Sequence, residues 1–177
     1  MDFQRRAVAA VPGVREAMAV ANRARVAARA AGIPVIHVRV AFRNGHPEIP
    51  PWVLGFDGLL GTDILQDSNE HTAFDLKPAE GETVVTKRFY SAFPHGYLDI
   101  VLRAAGIQQV VMAGIATFGV VLSTARDALE YGYRGVVLSD GCADLDPEVH
   151  RVLLDKVIPR SAQVATVDEW IAGLAAA

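Results

Sequence analysis

Three places in this 177-residue chain carry residues whose type and position could do chemistry: Asp2, Lys87 and the turn from Gly114 to Val120. The turn is the strongest of them. An apolar run, Val110 to Ala113, enters it, and a helical pattern leaves it with Val121, Thr124 and Ala128 on one stripe. Strand, glycine turn and helix start set unpaired backbone N–H groups and a partial positive charge at the carboxyl edge of a sheet. An anion, or an oxygen gaining negative charge, is stabilised there. Lys87 follows Val84-Val85-Thr86 directly, which sets its stem partly inside the fold at a strand end. Beside a carboxylate such an ammonium holds the acid ionised or shares its proton. Beside Arg88 alone it is a solvated surface lysine, and the spacing leaves both readings open. Asp2 by itself reads as a solvated terminal acid.

These positions need a frame, and the pattern supplies one. Val14 to Ala30 reads as an alanine-rich helix with Gly32 at a left-handed C-cap. Pro34 to Val40 and Thr83 to Thr86 read as strands, Leu98 to Ala105 as a helix stopped by Gly106. After the central strand, turn and helix, Gly135 to Ser139 is another strand, and Asp146-Pro147 opens a helix through Val157. Ser161 to Thr166 is a last strand, and Thr166-Val167-Asp168-Glu169 is a capping box for a closing helix. Strands alternating with helices predict a mainly parallel, doubly wound α/β sheet with helices on both faces. Sites in such sheets lie at the carboxyl ends of the strands. Phe42 to Pro78 is long, polar and rich in Gly and Pro, as lids and partner surfaces often are. No repeat or linker divides the chain, so residues 1–177 are expected to form one domain.

Composition narrows the function classes. Hydrophobic residues make up 51% and charged residues 21%, as in globular α/β proteins. A net charge of −3 gives no basic footprint, so nucleic acid is not an expected partner. The single cysteine, Cys142, allows no internal disulfide and points to a reducing, cytoplasmic setting. Ala104 to Ala125 is uncharged, but its glutamines, glycines and hydroxyls read as strand-turn-helix and not as a membrane span. The acid-poor amino-terminal region runs into Gly32-Ile33-Pro34, a folded pattern, and is not read as a transit peptide. The five histidines are scattered without ligand spacing, so no metal is expected, and no cofactor. The turn lacks the glycine order of dinucleotide and P-loop motifs.

A family resemblance follows from the blocks Lys87-Arg88-Phe89-Tyr90-Ser91-Ala92-Phe93, Gly114-Ile115-Ala116-Thr117, Ser123-Thr124-Ala125-Arg126-Asp127-Ala128 and Ser139-Asp140. With Asp2-Phe3-Gln4 at the start, the chain resembles the isochorismatase-like superfamily over nearly its whole length. The resemblance implies a Rossmann-like three-layer α/β fold, assembly as dimers or tetramers, and hydrolysis of a small metabolite. Nicotinamidases, carbamoylsarcosine amidases and ureidoacrylate amidases of that superfamily use an Asp, a Lys and a Cys, with a non-proline cis peptide in the central turn. By position, Asp2 and Lys87 would be the Asp and Lys, and Ile115-Ala116 would hold the cis bond. The N–H groups near Ala116, Phe118 and Val120, with Gly119 in the turn, would bind a carbonyl or carboxylate oxygen. Gln4, Phe89 and Tyr90 are candidate pocket residues, and Trp52 and Phe56 are further aromatic ones.

Two departures stand out. The superfamily's Cys falls at Val120, which has no nucleophile, so the acyl-enzyme route is closed. True isochorismatases also lack the Cys and are understood to protonate a vinyl ether with the Asp; Asp2 could do the same. The alternative is an inactive member that binds a ligand or a partner subunit. Second, the superfamily has an apolar strand before the Asp, whereas Asp2 here follows Met1. Either the natural start lies upstream, or the chain is trimmed, or the sheet has a gap that would leave Asp2 loosely mounted. Cys142 is expected to be a small buried residue near the same sheet edge.

Overall fold

The structure is a computed structural model that describes residues 1–175, the side chain of His71 excepted. Five strands are all paired in parallel, in two ladders. In the first, β1 (Ile36–Val40) pairs with β2 (Thr83–Lys87), in register from Ile36 opposite Thr83 to Val40 opposite Lys87. In the second, β3 (Gln109–Ile115), β4 (Arg134–Ala143) and β5 (Gln163–Ala165) lie side by side in that order. Of these, β4 runs past the expected end at Ser139 because Asp140-Gly141, a turn signal in sequence, is taken up in a register shift opposite Met112 and Gly114.

Helices cover both faces, as the strand–helix alternation predicts. On one face, α2 (Val14–Ala30) buries Ala17, Ala21, Ala24 and Ala28, whose small side chains bring the helix close to the sheet. Its C-terminus closes on Gly32 at φ 69°, with Gly32 and Ile33 N–H groups bonded to the Arg29 and Ala28 carbonyls. Ala24 packs with Val136, Leu138 and Val167 of α6 (Val167–Leu174). The Thr166 capping box is formed as expected. On the opposite face, Met112 and Val137 meet Val121, Ala125, Leu154 and Ile158. Side-chain alternation along β4 thus sends Val136 and Leu138 one way and Val137 the other. The remaining helices are α3 (Leu98–Ala104), α4 (Leu122–Glu130) and α5 (Pro147–Val152). The helix expected through Val157 ends earlier and continues as wider and tighter turns to Arg160.

One helix carries no strong signal in sequence. α1 (Arg5–Ala10) spans six residues, too short for periodicity to mark it. It packs Val8 against Phe3, Val11, Val14 and Ile115. Ahead of it, Met1 and Asp2 join the two ladders. The Met1 amine donates to the Ala113 carbonyl at 2.7 Å, Ile115 N–H donates to the Met1 carbonyl, and Asp2 N–H donates to the Val38 carbonyl at 2.8 Å. The long segment expected at Phe42 to Pro78 has its own apolar cluster of Phe42, Ile49, Phe56 and Leu59, packed against Phe89 and Tyr90.

Candidate active site

The carboxyl ends of β1, β2 and β3 converge on a hollow of about 150 Å³. Asp2, Val40, Phe56, Lys87, Tyr90, Ile115, Ala116, Phe118, Gly119 and Val120 line it. Lys87 closes β2 and is 2% exposed, so the solvated reading of this lysine gives way to the buried one. Its ammonium lies 2.7 Å from Asp2 Oδ2 and donates to the Phe89 carbonyl at 2.8 Å. Asp2 is 7% exposed, not a solvated terminal acid. It is held at φ 57°, a left-handed conformation that aspartate tolerates. Three backbone bonds of Met1 and Asp2 fix it between β1 and β3, which supplies the mount that the short start put in question.

The two oxygens of Asp2 differ. Oδ2 faces Lys87, while the buried Oδ1 has no hydrogen-bond partner among the described residues. Burial pushes the carboxyl above its ordinary value, and the Lys87 ammonium pulls it back only in part. A carboxyl with a raised proton affinity and one unpartnered oxygen, in a residue that lines a hollow, is equipped to give and take a proton.

The floor is the turn after β3. The Ile115–Ala116 peptide bond is cis, at the place expected for it. A wide helical turn, Thr117–Val121, follows and leads into α4. Its donors are partly engaged within the protein. Phe118 N–H, expected to face a substrate oxygen, donates instead to Asp144 Oδ2 at 2.7 Å, and Gly119 N–H donates to the Ala116 carbonyl. Asp144 and its neighbours were not singled out from sequence. Asp144 sits just past the end of β4, also takes the Leu145 N–H, and is 7% exposed. Thr117 Oγ1 bonds the Ala143 carbonyl and lies 2.8 Å from His150 Nδ1. With the strand expected to end at Ser139, only the extension of β4 to Ala143 brings Asp144 to a carboxyl end.

The walls are aromatic. Tyr90 packs between Phe56 and Phe118, with ring centroids 4.9 and 5.6 Å away. Gly119 allows this: a Cβ there would come within 3.1 Å of the Tyr90 ring. Two expected pocket residues do other work. Gln4 is 1% exposed and spends its amide on the Val40 N–H and on the Val40 and Thr72 carbonyls. Phe89 contributes its carbonyl to Lys87 and packs its ring on Phe42 and Phe56. Trp52 is 79% exposed and lies outside the hollow.

A family model for the isochorismatase domain matches residues 1–169. This chain belongs to the isochorismatase family. It is 34% identical over 166 residues to the ureidoacrylate amidohydrolase RutB of Stutzerimonas stutzeri, covering 85% of this chain and 67% of that one. It is 31% identical over 177 residues to the isochorismatase family protein YecD of Escherichia coli O157:H7, covering 98% and 93%. The crystal structure of an isochorismatase family protein from Desulfovibrio vulgaris superposes with a TM-score of 0.87 at 25% identity, covering 98% of this chain and 95% of that one. The fold is therefore the three-layer α/β fold of this isochorismatase-family relative.

In this isochorismatase-family chain, the thiol and the hollow are separate. Val120 is 2% exposed and packs with Cys142, Met112 and Val121. Cys142 is buried, and burial pushes its thiol up to about 12, so it stays protonated. Among the described residues, no group of three or more His, Cys, Asp or Glu could hold a metal, and no helix is long and apolar enough to cross a membrane.

Proposed function

We propose that this chain is a hydrolase of a small vinyl-ether or amide metabolite, with Asp2 as acid/base and Lys87 as its partner. The observation that carries this is the Asp2 carboxyl, paired through Oδ2 with Lys87, with a buried Oδ1 that has no partner among the described residues, in a residue that lines the hollow. Val120 stands at the family's nucleophile position, and no lining residue offers a thiol. The chemistry therefore runs without an acyl-enzyme. For a vinyl ether, Asp2 gives its proton to the terminal carbon and leaves an oxocarbenium ion. Water adds to that ion, and its spare proton returns to Asp2. The hemiketal then breaks its C–O bond into a carbonyl compound and an alcohol. For an amide, as the name of the ureidoacrylate relative suggests, Asp2 would act as base on water directly. The missing thiol favours the vinyl ether.

The test is turnover of isochorismate, ureidoacrylate and a panel of small amides. Hydrolysis of the vinyl ether that falls roughly 100-fold or more in Asp2→Asn supports the reading, since a positioned acid contributes about that much. A folded protein that turns over none of them overturns it. A second reading, an inactive member that binds a ligand, is favoured by the bulk of Val120 beside so small a hollow. It requires binding without turnover, and binding that survives Asp2→Asn.

A further inference from the structure

The turn that floors the hollow is held from outside itself. Its own closing bonds are long: Gly119 N–H reaches the Ala116 carbonyl at 3.2 Å, and Val121 N–H reaches it at 3.4 Å. The bonds from the segment after β4 are shorter. Asp144 Oδ2 takes the Phe118 N–H at 2.7 Å, and His150 Nδ1 lies 2.8 Å from Thr117 Oγ1. A wide helical turn is rare and often marks a functional site. This one is closed weakly from within, so the shorter outside bonds decide its shape.

The order of protons in the second contact follows from its chemistry. The buried Thr117 hydroxyl also meets the Ala143 carbonyl, at 3.2 Å. A hydroxyl has one proton to give, and a carbonyl can only accept. With both contacts made, Thr117 donates to Ala143 and the His150 ring donates to Thr117 through Nδ1–H. Asp144 is anchored as firmly. It is 7% exposed, and its second oxygen accepts the Leu145 N–H at 2.8 Å. A carboxylate with both oxygens on backbone N–H groups makes short, charge-assisted bonds. Asp146 then opens α5 by accepting from the Glu148 and Val149 N–H groups, and His150 N–H bonds the Asp146 carbonyl at 2.9 Å. This local folding presents the His150 ring to the turn.

Neither Asp144 nor His150 lines the hollow, whereas Phe118, Gly119 and Val120 do. We propose that Asp144 and His150 are positioning residues: the connection from Ala143 to His150 grips Thr117 and Phe118 and thereby sets Gly119 and Val120 in the wall they share with Asp2. The Phe118 ring, which packs on Tyr90 at 5.6 Å, is fixed by the same grip. The bearing of the grip on catalysis rests on the hydrolase reading above; the grip itself does not. A wall displaced by about 1 Å is enough to cost a reaction roughly 100-fold.

The experiment reads the turn through a thiol. In the full chain carrying Val120→Cys, alkylation by iodoacetamide is timed alone and with Asp144→Ala, His150→Leu or His150→Asn, each well below its Tm. Loss of either contact frees the wall, and Asp144→Ala also removes a negative charge that disfavours a thiolate. Both changes speed capture roughly threefold or more. His150→Asn keeps an N–H donor near the place of Nδ1, and its rate stays within about twofold. Equal rates in every background overturn the proposal. So does His150→Asn matching His150→Leu, which makes the ring's bulk the cause and not its donor. If Asp144→Ala does not fold, the His150 variants and the Phe118 amide of the unchanged protein still decide. A Phe118 amide that exchanges as fast as an open loop overturns the grip. With a substrate that is turned over, His150→Leu lowers kcat roughly tenfold or more while KM moves less than about twofold, and His150→Asn restores kcat. An unchanged kcat in His150→Leu overturns the bearing on catalysis. A protein that turns nothing over fails the hydrolase reading, and the thiol rates then judge the grip by themselves.

Discussion

Asp2 and Lys87 form a pair inside the protein, and their variants should be read as a pair. Removing Lys87 as Lys87→Met leaves the carboxyl alone in a buried site. Loss of one partner from a buried pair costs on the order of 3–5 kcal/mol, less whatever Asp2 recovers by staying protonated. Chemical denaturation should show the double variant Asp2→Leu/Lys87→Met to be more stable than Lys87→Met alone. A double variant that is the less stable of the two would show that the pair is not coupled. Activity carries a pH signature too. Asp2 binds its proton more tightly in the folded chain than in the unfolded one. An acid role is therefore full at low pH and fades as pH rises through that raised value. A kcat/KM profile whose fall with rising pH lies at an ordinary carboxylate value would contradict this. Val120→Cys puts a thiol against the hollow, next to Gly119 and Ala116. It should gain amidase turnover and reactivity toward iodoacetamide, while Cys142, whose thiol stays protonated, reacts far more slowly. A Val120→Cys thiol no faster than Cys142 would show that this position does not open to the hollow. Sequence alone put Lys87 next to Arg88 and could not say which way it turns, because its partner Asp2 and the fellow lining residues Val40 and Phe56 come from distant parts of the chain.

At the scale of elements, Glu82 ties three of them together. Just before β2, it accepts from Arg29 of α2 at 2.6 Å, faces His37 of β1 at 2.8 Å and takes the Ala79 N–H. Arg29 foremost, with help from the Ala79 amide and His37, holds its carboxyl down to about 2 against the opposing effect of burial. The folded value is below the unfolded one, so this stabilisation is complete above the ordinary value of 4.5 and is lost as pH falls toward 2. Arg29 is 37% exposed, so solvent screening weakens its contribution. Thermal melts of Glu82→Gln should fall below those of the unchanged protein at pH 6 and merge with them near pH 2. A constant difference across that range would refute the assignment. His37 is pushed down by burial and is neutral at pH 7 despite Glu82. Gly114 is the second point at this scale: a Cβ would come within 2.7 Å of the Met1 carbonyl. Gly114→Ala should lift Met1 off β3 and cost activity more than stability, because Asp2 loses its mount. Unchanged kcat/KM would argue against that link. The capping box, the Gly32 stop and the strand–helix alternation were all legible in sequence, since each depends on neighbours a few residues apart. Helix α1 was not, because six residues give too little period to read.

For the whole molecule, β1 and β3 belong to separate ladders that Met1 and Asp2 join. Hydrogen exchange of this 177-residue chain should show an alternating pattern along β3. Val110 and Met112 face β4 and should be protected, while Gln109 and Val111 turn away from it and should exchange faster. Uniform protection along β3 would contradict this pairing. The sequence by itself determined the α/β class, the glycine turn and the carboxyl edge at which a site is expected, and these follow from short-range periodicity, from caps and from the order of strands and helices. Asp2, Lys87 and Val120 were marked as candidates by the family resemblance and not by that pattern. Tertiary structure alone decided that Lys87 is buried on Asp2, that Asp144 takes the Phe118 N–H, and that Gln4 is a clamp and not a pocket wall. The physical reason is the same for each. Burial, the pairing of charges and the partners of backbone groups are set by segments that lie tens of residues apart in the chain and meet only after folding.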